Sequence, residues 1–148
     1  MKELRTEIEI NAGPEKVWKI LINFEKYDHW NPFIHMIKGE AKEGSKIEIH
    51  IETPGGKSRK YRPTVTKIEE GRELRWLGKS SLPGILNAEH IFTVKKLQPE
   101  RVLFINREVF EGLLTSFFGK SLDTDVKKGL EEMNKALKER AEHADVYE

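Results

Sequence analysis

The chain has 148 residues, with 26 Lys and Arg against 25 Asp and Glu, and it contains no cysteine. The balanced charge argues against nucleic-acid binding, which needs a clustered basic excess, and the lack of cysteine excludes disulfides, thiol catalysis and thiolate metal sites. No apolar run approaches the roughly 18 residues of a membrane span, and the N-terminal residues lack the apolar core of a signal peptide. We therefore expect one soluble, cytoplasmic domain over residues 1–148 that neither binds nucleic acid nor inserts into a membrane.

The first third of the chain predicts one strand and two helices. Residues 4–10 alternate between apolar and polar or charged side chains, the pattern of a strand with one buried face. Pro14 suits the first turn of a helix, because its missing N–H has no partner there, and apolar residues follow at helical spacing to Asn23. A second short helix over Phe24–Asp28 ends before Pro32, which holds the preceding residue extended.

After Pro32 the apolar period changes from helical to alternating. Six further strands are predicted, over residues 33–37, 47–52, 61–68, 73–78, 87–97 and 102–110. The connections between them are hairpin-sized and rich in Gly and Pro, for example at residues 54–58 and 70–72. Short connections of this kind indicate an antiparallel meander.

The chain closes with one long helix. A single apolar stripe steps by three or four residues through Phe118, Leu122, Val126, Leu130, Met133, Leu137 and Ala141. Gly119 and Gly129 each weaken this helix by about 1 kcal/mol relative to Ala, which indicates a kink or a close approach of the backbone to another group. Residues 143–148 are expected to fray.

This order of elements, and several motifs within it, resemble the helix-grip fold of the birch-pollen-allergen, START and polyketide cyclase superfamily. The matching segments are Pro14-Glu15-Lys16-Val17-Trp18, Tyr27-x-x-Trp30-Asn31-Pro32-Phe33, Arg62-Pro63-x-Val65, Glu73-Leu74-x-Trp76-x-Gly78, Glu89-His90-x-Phe92, Glu108-x-Phe110-x-Gly112-Leu113, and the closing helix from Gly129 to Lys138. The resemblance implies an α+β domain in which a seven-stranded antiparallel sheet curves around the C-terminal helix. It also implies a cavity between sheet and helix that accepts apolar or amphipathic small molecules, and it implies no metal or redox cofactor.

Strand parity places one polar pair inside this cavity. If Phe92 faces inward, so does His90, and if Phe110 faces inward, so does Glu108. The two strands form a predicted hairpin, so His90 and Glu108 are expected to be cross-strand or diagonal neighbours. Three interpretations stay open: a structural pair that holds the hairpin in register, a polar anchor for a ligand, or an acid/base pair for dehydration or enolisation.

The candidate cavity lining consists mainly of aromatic side chains near the motifs. It comprises Trp30, Phe33, Trp76, His90, Phe92, Glu108, Phe110, Phe117 and Met133. The alternative for the aromatic members is plain core packing. The apolar loop over residues 80–86 is interpreted either as a lid at the cavity mouth or as a loop packed onto the core, and residues 112–118 are expected to flank the same entrance.

The sequence therefore favours a module that binds a small hydrophobic or amphipathic ligand. The alternatives are a polyketide cyclase/dehydratase-like enzyme that uses the inward His/Glu pair, and an interaction domain like the chaperone co-activators of the superfamily. His29, His35 and His50 lack the spacing of a zinc site. Neither the identity of the ligand nor the oligomeric state is specified by any motif.

Overall fold

The computed structural model describes residues 1–117 and 120–143, without the side chains of residues 116, 117 and 120–122. The elements follow in the order β1 (Lys2–Ile10), α1 (Pro14–Ile22), a 3-10 helix (Phe24–His29), β2 (Ile34–Lys38), β3 (Glu48–Glu52), β4 (Ser58–Tyr61), β5 (Thr64–Glu69), β6 (Glu73–Lys79), β7 (Asn87–Gln98), β8 (Arg101–Glu111), a second 3-10 helix (Leu113–Phe117) and α2 (Lys120–Glu142). The predicted order of strand, two helices, meander and long helix is confirmed.

The strands form two antiparallel groups that meet along one edge. Five strands pair in the order β1-β8-β7-β6-β5, and three pair in the order β2-β3-β4. The groups join just before β3, where Lys46 bridges Thr64 and the Ile47 N–H donates to the Pro63 carbonyl at 3.0 Å. The sheet therefore continues across the gap and curves around α2.

One predicted strand is two strands in the structure, so the described residues hold eight strands rather than seven. The strand expected over residues 61–68 is interrupted at Arg62-Pro63, between β4 and β5. Proline has no N–H to donate to a neighbouring strand, so the ladder breaks there. The break lets β4 pair with β3 while β5 pairs with β6.

The main core lies between the concave face of the sheet and α2. Leu130, Met133, Leu137 and Ala141 of the predicted stripe are completely buried. Phe118 and the side chain of Leu122, which belong to the same prediction, lie outside the described residues. The Gly119 prediction and the predicted fraying of residues 144–148 also lie outside them.

The segment between α1 and β2 closes one side of this core. Tyr27 is completely buried, and its hydroxyl donates to the Leu21 carbonyl at 2.6 Å. The Asn31 side-chain oxygen accepts from the backbone N–H groups of Phe33 at 3.0 Å and Ile34 at 2.9 Å. Asn31 thus fixes the turn that sends Phe33 inward toward α2.

Gly129 is the point where α2 approaches that turn. A Cβ atom at this position would lie 2.2 Å from Cδ1 of Phe33, far inside van der Waals contact. The predicted close approach is therefore confirmed, and the contacting group is the Phe33 ring. Within the described part of the chain, no helix combines the length and apolarity needed to cross a bilayer.

Candidate functional site

A cavity of about 360 Å³ lies between the concave face of the sheet and α2. Most of its lining comes from β3, β4, β6, β7 and β8: Phe33, Ile51, Thr53, Arg59, Lys60, Tyr61, Arg62, Gly78, Lys79, Ser80, Leu86, Ala88, Glu108, Phe110 and Val126. Its volume falls near the lower end of the roughly 300–1,000 Å³ usual for small-molecule sites. The space therefore suits a compact ligand.

Two small residues account for the empty space. Gly78 on β6 pairs with Ala88 on β7, and Ala88 pairs with Phe110 on β8. A methyl group at Gly78 would meet the Tyr61 ring at 3.6 Å, an ordinary contact distance, so no neighbouring atom already occupies that volume. Gly78 and Ala88 therefore leave empty the space that larger side chains at these two positions would fill.

Glu108 is the buried acid of this cavity. Its carboxyl is enclosed by the sheet, and the residue is only 7% exposed. Burial raises the pKa of Glu108 to about 7, and the nearby positive charge of Arg59 acts in the opposite direction. Near neutral pH the group is therefore present in both its acid and its carboxylate forms.

Tyr61 supplies a second polar group beside Glu108. The Tyr61 hydroxyl and the Trp76 indole N–H are both buried without a hydrogen-bond partner in the described part of the protein. Burial and the charge of Glu108 raise the pKa of Tyr61, while the neighbouring indole N–H acts against that increase. The phenol therefore stays protonated and keeps its hydrogen-bonding capacity for another molecule.

His90 lies directly opposite Glu108 in the β7–β8 pair, as predicted. Its hydrogen bond, however, joins Nε2 to the side-chain oxygen of Asn106 at 2.6 Å. That oxygen can only accept, so Nε2 carries the proton and Nδ1 is the bare nitrogen, which has no partner in the described structure. Burial lowers the pKa of His90 to about 4, so the ring is neutral at neutral pH.

The hydrogen bond of His90 is the first of a buried chain. The Asn106 amide donates to the Asn134 oxygen at 2.9 Å, and the Asn134 amide donates to the Thr6 hydroxyl at 2.9 Å. The Thr6 hydroxyl donates in turn to the Asn106 carbonyl at 3.0 Å. These bonds connect β7, β8, α2 and β1, so His90 belongs to the structural attachment of α2 to the sheet.

Comparison with known proteins agrees with this architecture. Residues 1–142 match the model of the family described as "Polyketide cyclase / dehydrase and lipid transport". The chain belongs to this family. No curated protein matches the sequence.

Solved structures show the same helix-grip fold. A START superfamily protein from Mycobacterium smegmatis is 23% identical, with 96% of this chain and 98% of that chain covered and a TM-score of 0.77. The Zhui aromatase/cyclase from Streptomyces sp. R1128 is 13% identical, with 97% and 95% covered and a TM-score of 0.77. A norcoclaurine synthase point mutant from Thalictrum flavum is 10% identical, with 97% and 96% covered and a TM-score of 0.74. At these identities the likeness establishes the fold alone.

The structure divides the predicted lining residues of this helix-grip domain into two groups. Phe33, Glu108 and Phe110 border the cavity. The completely or almost completely buried residues Trp76, His90, Phe92 and Met133 lie in the filled part of the interior. Trp30 packs against Tyr27 with ring centroids 5.0 Å apart, and the side chain of Phe117 lies outside the described residues.

Sequence reasoning did not single out Arg59, Tyr61 or Ala88, all of which border the cavity. Tyr61 could have been identified, because it is the one aromatic residue in the run over residues 57–62, whose other members are Arg, Lys and Ser. An aromatic ring on such a strand favours the buried face. Ala88 carried no signal. A small residue is recognised as a cavity wall only when its neighbours in space are known.

The loop over residues 80–86 and the segment that follows β8 are hydrogen-bonded to each other. Leu113 N–H donates to the Gly84 carbonyl at 3.1 Å, and Leu114 N–H donates to the Ile85 carbonyl at 3.0 Å. Gly112 permits this contact, since its φ is +115° and a Cβ there would lie 2.5 Å from the Ile85 carbonyl oxygen. Ser80 and Leu86 of the first loop border the cavity, and residues 113 and 114 are bonded to that loop, so the shared entrance over residues 112–118 stays a prediction.

A second, larger groove of about 650 Å³ lies outside the sheet, between the start of α1 and the β5–β6 turn. Its charged side chains bind one another: Glu73 pairs with Lys67 at 2.8 Å and with Arg75 at 2.9 Å. Within residues 1–117 and 120–143, no three His, Asp or Glu side chains are grouped as metal ligands. The inner cavity therefore holds the strongest candidate site.

Proposed function

We propose that the domain binds a small hydrophobic or amphipathic molecule in the cavity between the sheet and α2. The observation that carries this proposal is empty volume beside two polar side chains: the Tyr61 hydroxyl, which has no hydrogen-bond partner in the described structure, and the buried carboxyl of Glu108. Buried polar groups are normally satisfied by hydrogen bonds, so such groups beside empty space are suited to a ligand. Membership of a family described by cyclisation and lipid transport supports the same function.

Apolar contacts are expected to supply most of the affinity. Phe33, Ile51, Phe110 and Val126 come from four different parts of the fold and face the same space. Burying apolar ligand surface against them contributes roughly 25 cal/mol per Å². The polar groups then fix the orientation of the bound molecule.

A ligand panel with a cavity-filling variant tests this proposal. Fatty acids, sterols, phenols and aromatic ketones are added to the protein, and unfolding temperature and native mass spectra are recorded. A true ligand at a hundredfold excess over Kd stabilises the folded state by about 2.7 kcal/mol. Ala88→Leu should abolish this stabilisation because its side chain enters the cavity, whereas Val109→Leu, on the opposite face of β8, should retain it.

The proposal is overturned if no member of the panel stabilises the wild type, or if Ala88→Leu responds to ligands as the wild type does. Either result would mean that ligands do not use this space. Val109→Leu is the control for a general effect of a larger side chain on the β7–β8 hairpin.

A cyclase/dehydratase-like activity is the second candidate, and the pKa of Glu108 favours it. A carboxyl with a pKa of about 7 can accept and return a proton at neutral pH. The acid/base group would then be Glu108, aided by Tyr61, rather than a His/Glu pair, because the His90 proton is committed to Asn106. Exchange of the α-protons of 4-phenyl-2-butanone in D₂O measures this activity, and Glu108→Gln should abolish the exchange if the candidate is correct.

A further inference from the structure

The polar groups of the cavity lie at two depths. Tyr61 and Arg59 pair with Ile49 and Ile51 on β3, so both belong to the concave face of the sheet. Tyr61 is half-buried with a buried hydroxyl, whereas Arg59 is exposed. At about 3.3 Å per residue, their Cα atoms are only about 6.6 Å apart along the strand. The wall of the cavity therefore changes from enclosed phenol to exposed guanidinium within two residues.

The inner end suits an uncharged oxygen. The Tyr61 hydroxyl can both donate and accept, and Glu108 in its acid form donates as well. A ligand carboxylate here would lose its water and face the Glu108 charge. Leu4 of β1 and His90 of β7 are the cross-strand neighbours of Glu108, and His90 is neutral, so neither provides a compensating cation.

The outer end suits an anion. The Arg59 guanidinium forms no salt bridge with a carboxylate among the described side chains, and the carboxyl on which its charge acts is that of Glu108. Lys60, Arg62 and Lys79 also border the cavity. Lys60 pairs with His50 on the convex face, and Lys79 follows the inward Gly78 and so faces the same outer side. Arg62, just after β4, binds Glu48 at 2.9 Å. Arg59 is therefore the cation that shares the concave face of β4 with Tyr61 and can bind an anionic group of the same ligand.

We propose that the ligand is a compact two-ended molecule, with an uncharged hydroxyl or carbonyl oxygen held by Tyr61 and Glu108 and a carboxylate held by Arg59. The short distance between the ends and the aromatic rings of Phe33 and Phe110 favour a middle of about one ring. Hydroxyaryl and oxoaryl carboxylic acids form this class. The proposal deepens the binding function given above and depends on it.

Three matched probes separate the two ends. 3-(4-Hydroxyphenyl)propanoate carries both groups, 3-phenylpropanoate lacks the hydroxyl, and 4-propylphenol lacks the carboxylate. Binding of each is measured by calorimetry at one pH and salt concentration. We expect the two-ended probe to bind at least about tenfold more tightly than either one-ended probe, since a hydrogen bond to a charged group is worth roughly that factor or more.

Two single-residue variants then test which side chain binds each end of the probe. Arg59→Met should weaken the two carboxylate probes by about tenfold and leave 4-propylphenol within about twofold. Tyr61→Phe should weaken the two phenols and leave 3-phenylpropanoate within about twofold. Lys57→Met, an exposed cation of the β3–β4 turn that does not border the cavity, is the control and should bind all three probes as the wild type does.

The outcomes distinguish this inference from the function on which it rests. If the probes bind and Ala88→Leu prevents it, but Arg59→Met and Tyr61→Phe have no probe-dependent effect, the cavity binds ligands and the two-ended class is wrong. If the larger panel also fails to bind, the proposed function falls with it. Reversed selectivity, in which Tyr61→Phe weakens the carboxylates alone, contradicts the assigned orientation.

Discussion

His90 and Glu108 are direct neighbours across the β7–β8 pair, and their surroundings differ completely. His90 lies in the filled half of the interior, stacked on Phe92 with ring centroids 4.1 Å apart and bonded to Asn106. Glu108 borders the cavity, and the positive charge of Arg59 acts on its carboxyl. Burial moves both pKa values toward the neutral form, to about 4 for His90 and about 7 for Glu108.

The contrast between these two environments extends to the whole concave face, which contains a packed region and an empty one. In the filled half, large rings on β6, β7 and β8 pack in sequence, with Trp76 5.0 Å from Phe92 and Phe92 6.1 Å from Phe104. In the open half, the positions that continue two of these strands are Gly78 and Ala88. The filled half thus supplies the packing, whereas the open half contains empty space and the Tyr61 hydroxyl without a hydrogen-bond partner in the described structure, as the proposed ligand site requires.

The largest expected effect is a loss of stability on disruption of the hydrogen-bonded chain in the filled half. Asn106→Leu keeps the approximate volume but leaves the His90 Nε2–H and the Asn134 oxygen buried without partners. We expect a loss of about 2–5 kcal/mol in the free energy of unfolding, measured with urea, since each unpaired buried group costs roughly 1–3 kcal/mol. Arg107→Leu, on the outer face of the same strand, removes a partly exposed ion pair with Glu3 and should cost under about 1 kcal/mol. Equal losses in the two variants would contradict the structural role of the Asn106 chain.

The second prediction rests on the opposite pH dependences that Glu108 and His90 give to the free energy of unfolding. Glu108 has a folded pKa of about 7 against an ordinary 4.5, so the folded state holds its proton more tightly and stability falls as pH rises through this window. His90 has a folded pKa of about 4 against 6.5, so stability falls as pH drops from 6.5 toward 4. In the wild type the two contributions offset each other.

Glu108→Gln should separate these contributions. At pH 8 we expect it to be more stable than the wild type by up to about 3 kcal/mol, because about 1.36 kcal/mol accompanies each pKa unit. At pH 4 the two proteins should differ little. Its stability should also fall on acidification from pH 6.5, when the loss due to His90 is no longer offset. Parallel stability curves for variant and wild type, obtained from urea unfolding between pH 4 and 8, would show that Glu108 is not buried as described.

A third prediction concerns Gly129, where the cavity-lining ring of Phe33 touches α2. Gly129→Ala gains about 1 kcal/mol of helix propensity but drives a methyl group into that ring. Overpacking costs roughly 1–3 kcal/mol, so we expect a net loss of up to about 2 kcal/mol. In thermal unfolding, Phe33→Leu should cost less in the Gly129→Ala background than in the wild type. Additive losses would mean that the two residues do not press on each other.

The smallest expected effect lies in the open half. Gly78→Ala should change stability by under about 1 kcal/mol, in the stabilising direction, because Ala loses less backbone freedom on folding and its methyl has room. The same variant should bind ligands more weakly than the wild type. A large destabilisation in thermal unfolding would show that the space beside Gly78 is already occupied.

The sequence allowed the inward faces to be predicted better than the site. Period-two alternation on β7 and β8 correctly placed His90, Phe92 and Glu108 inside, because a strand has only two faces. It could not tell which inward residues border empty space, since that depends on the combined volumes of side chains from distant strands. Trp76 and Ala88 illustrate this: the large aromatic was the obvious candidate, and the small residue borders the cavity.

The hydrogen-bond partner of His90 could not be predicted from the alternating pattern either. Cross-strand register brings His90 opposite Glu108, which made an acid/base pair plausible. The side chain instead turns diagonally to Asn106, whose other bonds run to α2 and β1. Thr6, which precedes its partner Asn134 by 128 positions, completes that chain, and no local pattern encodes such a contact.

Methyl NMR offers the most direct test of the division into a filled and an open half. 3-(4-Hydroxyphenyl)propanoate is titrated into protein labelled at Ile, Leu and Val methyl groups. The account predicts saturable shifts at Ile51, Leu86 and Val126, which border the cavity, and little change at the packed residues Leu74 and Leu130. Saturable shifts confined to the packed residues, or no saturable shift at Ile51, Leu86 and Val126, would contradict it.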